Sequence, residues 1–271
     1  MLDGEAARAV TERGLVLLGC GKMGSALLRG WLAGGLPAHA VHVVEPTPSD
    51  WLRATGAAVN APLPPAPAVA LVAVKPQMMG AALPAMAALG GGPTLVVSIA
   101  AGTTMAAFEQ AFGPGTPVVR AMPNTPAAIG RGITAIVGNA HATEAHLALA
   151  EALLSAVGEV ARVPTEDAVD AVTGVSGSGP AYVFHLIEAL AAAAEAEGLP
   201  PDLALRLARA TVAGAGALAQ ETGTDPAQLR RDVTSPNGTT QAGLEVLMAE
   251  LPSLVARTVR AATARATELR A

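Results

Sequence analysis

From Asp232 to Glu245 an Ala-rich, helix-like tail gives way to hydroxyls, an amide and glycines, residue types that a packing helix does not need. Pro236, Asn237 and Gly238 have turn chemistry, because Pro fixes φ and Asn or Gly tolerates positive φ; Leu244, Leu247 and Met248 then set up a helix. Ser235, Gly238, Thr239 and Thr240 are thereby gathered where that helix begins. Unpaired N–H groups and the positive end of the helix dipole favour a carboxylate or phosphate there. An ordinary N-cap accounts for the same residues.

A second group lies near the other end of the chain. Gly19-Cys20-Gly21-Lys22-Met23-Gly24 follows an apolar run and opens a helical stretch, which is the required context of G-x-G-x-x-G. In such a loop Gly19 makes the tight turn, Gly21 admits a pyrophosphate to the backbone, and Gly24 lets helix and strand pack closely. Glu45 ends the next apolar run, where an acidic group hydrogen-bonds an adenine-ribose 2′-hydroxyl and repels a 2′-phosphate. With no arginine nearer than Arg53, the cofactor expectation is NADPH or NADH, leaning toward NADH; the alternative is that Glu45 merely starts a loop with Pro46. Of the 17 basic residues only Lys22 and Lys75 are lysines. Lys75 directly follows an apolar run and reads as a ligand contact or as a solvated strand end. Its neighbours Ala73, Val74 and Pro76, the segment 98–102 with Ala100 and Ala101, and the segment 120–126 with Asn124 should line one crevice beyond the carboxyl ends of the strands. Arg120 is open to two readings, pairing with a carboxylate or a functional contact.

The elements that must hold these groups divide in two. Up to about residue 163, short apolar runs at 15–18, 41–44, 69–74, 95–99, 118–119 and 133–137 alternate with helical stretches at 25–33, 81–89, 103–112 and 143–156. Continuous apolar strands imply a sheet covered on both faces, so an α/β Rossmann-type, doubly wound sheet is expected. From residue 164 to 271 the pattern is all-α, with helices at 165–171, 180–197, 201–221 and 241–269. Gly214 and Gly216 inside one of these helices suggest close helix packing, across a dimer interface for instance. Residues 1–14 carry charges and no apolar core, and read as a flexible tail rather than a secretory signal. The domain expectation is thus 1–14 tail, 15–163 dinucleotide-binding, 164–271 helical, substrate-binding and dimerising.

Together these motifs resemble pyrroline-5-carboxylate reductases. The resemblance runs from Leu15 to about Leu269 and is carried by residues 19–24, Val74-Lys75-Pro76-Gln77, residues 98–102, residues 120–126, residues 173–182 and residues 233–240. It implies NAD(P)H-dependent reduction of 1-pyrroline-5-carboxylate to L-proline, and a C-terminal domain that dimerises by interlocking helices and often assembles into decamers. By the same resemblance, cofactor contacts fall on residues 19–23, Asn60, residues 73–76, Ala100 and Ala101. Substrate contacts fall on Glu166, Thr239 and Thr240, with Asp232 at a position often amidated in relatives and Ser178 in a run that helps wall the substrate pocket; in the mechanism expected from this, the Thr240 hydroxyl faces the ring nitrogen. Lys22 departs from the family's usual Asn or Gln, and Asn237 from its usual Gly.

Composition narrows the class. With 51% hydrophobic and only 14% charged residues the chain is compact, and much surface should be hidden between subunits. A net charge of −5 leaves no nucleic-acid footprint. The single Cys20 can make no internal disulfide and suggests no metal site. No apolar run is long enough to span a bilayer, and a cytoplasmic setting is expected. Two other readings remain: a β-hydroxyacid dehydrogenase-like enzyme, disfavoured because no lysine follows Lys75, and a dinucleotide-binding regulatory protein without catalysis.

Overall fold

The computed structural model describes residues 4–270. Helix α1 (Gly4–Arg13) leads into strand β1 (Leu15–Leu18), and the glycine loop then turns the chain into helix α2 (Lys22–Ala33). Strand β2 (Val41–Val44), helix α3 (Asp50–Arg53), strand β3 (Ala58–Val59) and strand β4 (Val69–Val72) follow. Next come helix α4 (Met79–Ala82), strand β5 (Leu95–Ser98), helix α5 (Met105–Phe112), strand β6 (Val118–Met122) and strand β7 (Gly132–Gly138). Helix α6 (Glu144–Leu154) and strand β8 (Gly158–Arg162) complete the sheet.

The eight strands run in the order β3-β2-β1-β4-β5-β6-β7-β8, and only the β6–β7 pair is antiparallel. Alternation along β1 explains why its whole run is apolar: Leu15 and Leu17 pack into the layer of Leu27, Leu28 and Trp31, while Val16 and Leu18 pack into the opposite layer with Met86 and Phe108. Strand order reverses between β1 and β4, so a crevice opens at their carboxyl ends, where the glycine loop sits.

The expectation of a loose N-terminal tail is corrected for residues 4–13; residues 1–3 lie outside the described residues. Ala6 and Val10 are buried one turn apart on α1, with Val10 part of the main core, and this stripe is enough to dock a short helix. Arg13 closes it by donating to the carbonyls of Ala66, Pro67 and Pro93.

Beyond β8 the chain is helical: α7 (Ala168–Val172), a π-turn (Thr173–Gly177), α8 (Gly179–Ala196), α9 (Pro201–Thr222), α10 (Pro226–Asp232) and α11 (Thr239–Glu268). Packing divides the chain later than residue 163. One compact unit comprises Met1–Gly177 with Ala262–Ala271, the other Ser178–Ala261. The shift arises because α7 packs on β6 and β7 of the sheet and the last two turns of α11 belong to the same unit. In the helical unit α8 packs on α9 through small side chains, Ala191, Ala204 and Ala208 being its buried residues. Gly214 and Gly216 are exposed, and nothing in the chain lies within 4 Å of where their Cβ atoms would be, so packing within the chain does not explain them. Among the described residues no helix is long and apolar enough to cross a membrane.

Candidate active site

The glycine loop has the shape the spacing requires. Gly19 has φ +91°, and a Cβ there would lie 3.0 Å from the Ala73 carbonyl oxygen. A Cβ on Gly24 would fall 2.4 Å from the Gly19 carbonyl oxygen, so α2 can start this close to β1 only without a side chain. Gly21, by contrast, faces open space, as a backbone that receives a phosphate must. The residues present therefore fit a dinucleotide: residues 19–24 for the pyrophosphate, with Lys22, Lys75 and Ala101 exposed in the segments that follow β1, β4 and β5.

Glu45 does more here than end a strand. Its Oε2 accepts from the Cys20 N–H at 2.8 Å and its Oε1 from the Thr47 N–H at 3.0 Å. Asn60, held at φ +52°, clamps the Glu45 backbone by accepting from its N–H and donating to its carbonyl. The Asn60 amide expected to contact cofactor is thus engaged in placing Glu45. The same environment acts on Cys20: burial first, then the Glu45 carboxylate, push its thiol up to about 11, with Arg29 opposing.

Two more expected contacts are spent within the unit. Asn124 accepts from the Ile133 N–H at 2.9 Å and donates to the Ser176 carbonyl at 3.2 Å. Arg120 is not beyond a strand but inside β6, paired in register with Ser98 and Val137, and is 2% exposed. Of its two readings the structure selects pairing: Nη1 donates to Glu166 Oε1 at 2.9 Å. Glu166, expected to touch substrate, therefore has one carboxylate oxygen committed to an arginine and to the Met105 N–H. Sequence reasoning passed over Asp170 and Arg270, which join this cluster. A charge inside the apolar run Ala168-Val169-Asp170-Ala171-Val172 was the available signal.

In the helical unit the turn before α11 forms as its residues dictate. The Gly238 N–H donates to the Ser235 carbonyl, and Asn237 takes φ +59°. The Asn237 N–H is satisfied by Gln241 Oε1 at 2.8 Å. The first main-chain bond of α11 is Ala242 N–H to the Gly238 carbonyl, so the amides of residues 239–241 emerge at the helix start without an intrahelical acceptor. Thr239 and Thr240 are its first two residues, two positions earlier than the apolar pattern suggests. Asp232 ends α10 and accepts from Gln228, while the Ser178 carbonyl accepts from the Ala181 N–H. His185 on α8 is exposed and paired with Glu188.

A mainly parallel sheet with a glycine loop at its switch point, joined to a helical unit, defines a dinucleotide-dependent oxidoreductase of two-unit build. Residues 166–269 match the family described as pyrroline-5-carboxylate reductase dimerisation, and residues 14–102 the family described as NADP oxidoreductase coenzyme F420-dependent. The chain is 40% identical to the pyrroline-5-carboxylate reductase of Pseudomonas aeruginosa over 94% of its length and 96% of that protein's. It is 48% identical to that of Synechocystis over 74% of each chain. The structure of a pyrroline-5-carboxylate reductase from Coxiella burnetii superposes with a TM-score of 0.91 at 33% identity, covering 96% of this chain and 99% of that one. A Plasmodium falciparum pyrroline carboxylate reductase solved with NADP bound gives 0.82 at 25% identity, covering 96% and 99%. The chain belongs to the pyrroline-5-carboxylate reductase family.

Proposed function

We propose that this chain reduces 1-pyrroline-5-carboxylate to L-proline, with the nicotinamide dinucleotide held by the sheet-bearing unit and the substrate carboxylate by the start of α11. The observation that carries this reading is the helix start itself: the N–H groups of residues 239–241 lack intrahelical acceptors, in a family member whose substrate is an acid. A carboxylate placed there gains the amides and the dipole together. The bound dinucleotide supplies the hydride. What the chain adds is orientation and charge control. As the C=N carbon is reduced its nitrogen must end protonated, so a hydroxyl or water at that nitrogen suffices and no strong base is needed. The Thr240 hydroxyl, at the second residue of α11, serves that role.

NADH is the proposed preference. Glu45 is fixed by Asn60 at the end of β2, and its carboxylate opposes a 2′-phosphate. The active species is a homodimer formed through the helical unit. Loss of reduced-cofactor absorbance on adding pyrroline-5-carboxylate tests the activity; no turnover with either cofactor sinks it and leaves a binding protein. Running the same assay with both cofactors on Glu45→Ser tests the preference. The variant should gain on NADPH relative to NADH by about tenfold, a change of about 1.4 kcal/mol. An unchanged ratio removes Glu45 from specificity.

A further inference from the structure

The loop from β5 to α5 carries Ala100 and Ala101 and ends where Met105 starts α5. Its far end is tied down by a carboxylate: the Met105 N–H donates to Glu166 Oε1 at 2.9 Å, a charged acceptor on an otherwise open helix donor. That oxygen is shared with Arg120, whose Nη2 lies 3.9 Å from Asp170 Oδ1. The other oxygen of Asp170 accepts from the Thr267 hydroxyl at 2.8 Å and lies 2.8 Å from Arg270 Nε. Asp167 meets Arg270 from the solvent side. A continuous chain of polar and charged contacts thus runs from residues 267–270 to the start of α5. The two buried members, Arg120 and Asp170, are tolerated away from water only when paired, so removing a partner disturbs them.

The same terminal residues also touch the loop directly. Gly102 has φ +77°, and a Cβ there would lie 2.7 Å from the carbonyl oxygen of Leu269. The Leu269 carbonyl therefore lies against the Gly102 backbone, leaving no room for a side chain at position 102.

We infer that Thr267, Leu269 and Arg270 form a C-terminal brace that positions the β5–α5 loop for dinucleotide binding. Thr267 and Arg270 act through Asp170, Arg120 and Glu166; Leu269 acts by contact with Gly102. These are positioning residues, and the inference rests on the reading above that Ala100 and Ala101 contact the cofactor.

Dinucleotide affinity, measured by fluorescence titration of the full-length protein with NADH and NADPH, tests the brace. Thr267→Val changes shape little and removes one partly buried hydrogen bond; Arg270→Ala removes the ion pair. Arg270→Ala should raise the dissociation constant by about tenfold and Thr267→Val by several-fold, with the KM for pyrroline-5-carboxylate within about twofold of the parent. Amide hydrogen exchange should rise at residues 101–106 in both variants, without need of any ligand. Parent-like affinity together with parent-like exchange in Arg270→Ala overturns the brace. So does a fall in melting temperature with cofactor affinity unchanged. Ala101→Asp separates the two readings: if it leaves affinity intact, the loop is not a cofactor contact and the earlier reading fails, whereas loss in Ala101→Asp with none in Arg270→Ala sinks only the brace.

Discussion

In the proposed reaction a single hydroxyl, that of Thr240, serves the ring nitrogen of the imine, which gains a proton as its neighbouring carbon gains hydride. Thr240→Ala should lower kcat/KM by about tenfold or more, because one positioned hydrogen bond to a charged group is worth about 1.5 to 3 kcal/mol. Steady-state kinetics with pyrroline-5-carboxylate decide it; an unchanged kcat/KM takes Thr240 out of the mechanism. Cys20, although it sits inside the glycine loop, should be inert. With its thiol pushed up to about 11 by burial and by Glu45, little thiolate exists near neutrality, and iodoacetamide should react at least about tenfold more slowly than with an exposed cysteine. Fast alkylation of the native protein at pH 7.5 would contradict the buried setting. At this scale the glycines were legible because each backbone demand admits one residue type. The orientations of Glu45, Asn60 and Asn124 were not, since an amide or carboxylate is satisfied by main-chain groups as readily as by a ligand.

Among the elements, those buried on both faces announce themselves. β1 and β4 read as unbroken apolar runs and β5 as one closed by Ser98, and all three are buried at every residue. β8, Gly158-Glu159-Val160-Ala161-Arg162, lies at the sheet edge with charges among its few apolar residues, and α1 is docked by a stripe of only two buried residues, so neither gave a periodic signal. Helix α6 carries an unusual N-terminus. The Thr143 hydroxyl accepts from the His146 N–H while His146 Nδ1 accepts from the Thr143 N–H, so an imidazole stands where Glu or Gln usually completes a capping box. Nδ1 can accept only when unprotonated. Burial, the largest cause, lowers the His146 pKa in the fold, and Glu5 of α1 shares the cleft with it. A group whose folded pKa is depressed contributes stability above its unfolded pKa and loses it as pH falls toward the folded value. The melting temperature should therefore drop between about pH 7 and 5, with a smaller drop in His146→Gln, which keeps an acceptor at every pH. Identical slopes for the two proteins would show that the imidazole is not the sensor.

At the scale of the molecule, the two units differ in how they hide apolar surface. The sheet-bearing unit has cores on both faces, whereas the buried side chains of the helical unit are a few alanines. Val183, Phe184, Leu186 and Leu190 of α8 are exposed, as are Val246, Leu247, Leu251 and Leu254 of α11, with Phe184 at 58%. Apolar surface on this scale marks an interface, and residues 166–269 match a family described as dimerisation. A low charged fraction made that hidden surface legible in the sequence, but not its location, because an apolar helix face looks the same whether it meets its own chain or a second copy. Phe184 is the test residue, as a large aromatic anchor far from the glycine loop in sequence. Phe184→Glu places an unpaired charge in a desolvated contact, which costs at least about 2 kcal/mol and so weakens association by roughly thirtyfold or more. Sedimentation velocity should show the parent as a dimer or larger across micromolar concentrations, with Phe184→Glu shifted toward monomer. Because an oligomer's stability depends on protomer concentration, the variant's melting temperature should also fall on dilution more steeply than the parent's. A parent that sediments as a monomer at every concentration would mean that the helical unit stands with its apolar faces in water, which neither its composition nor its packing can support.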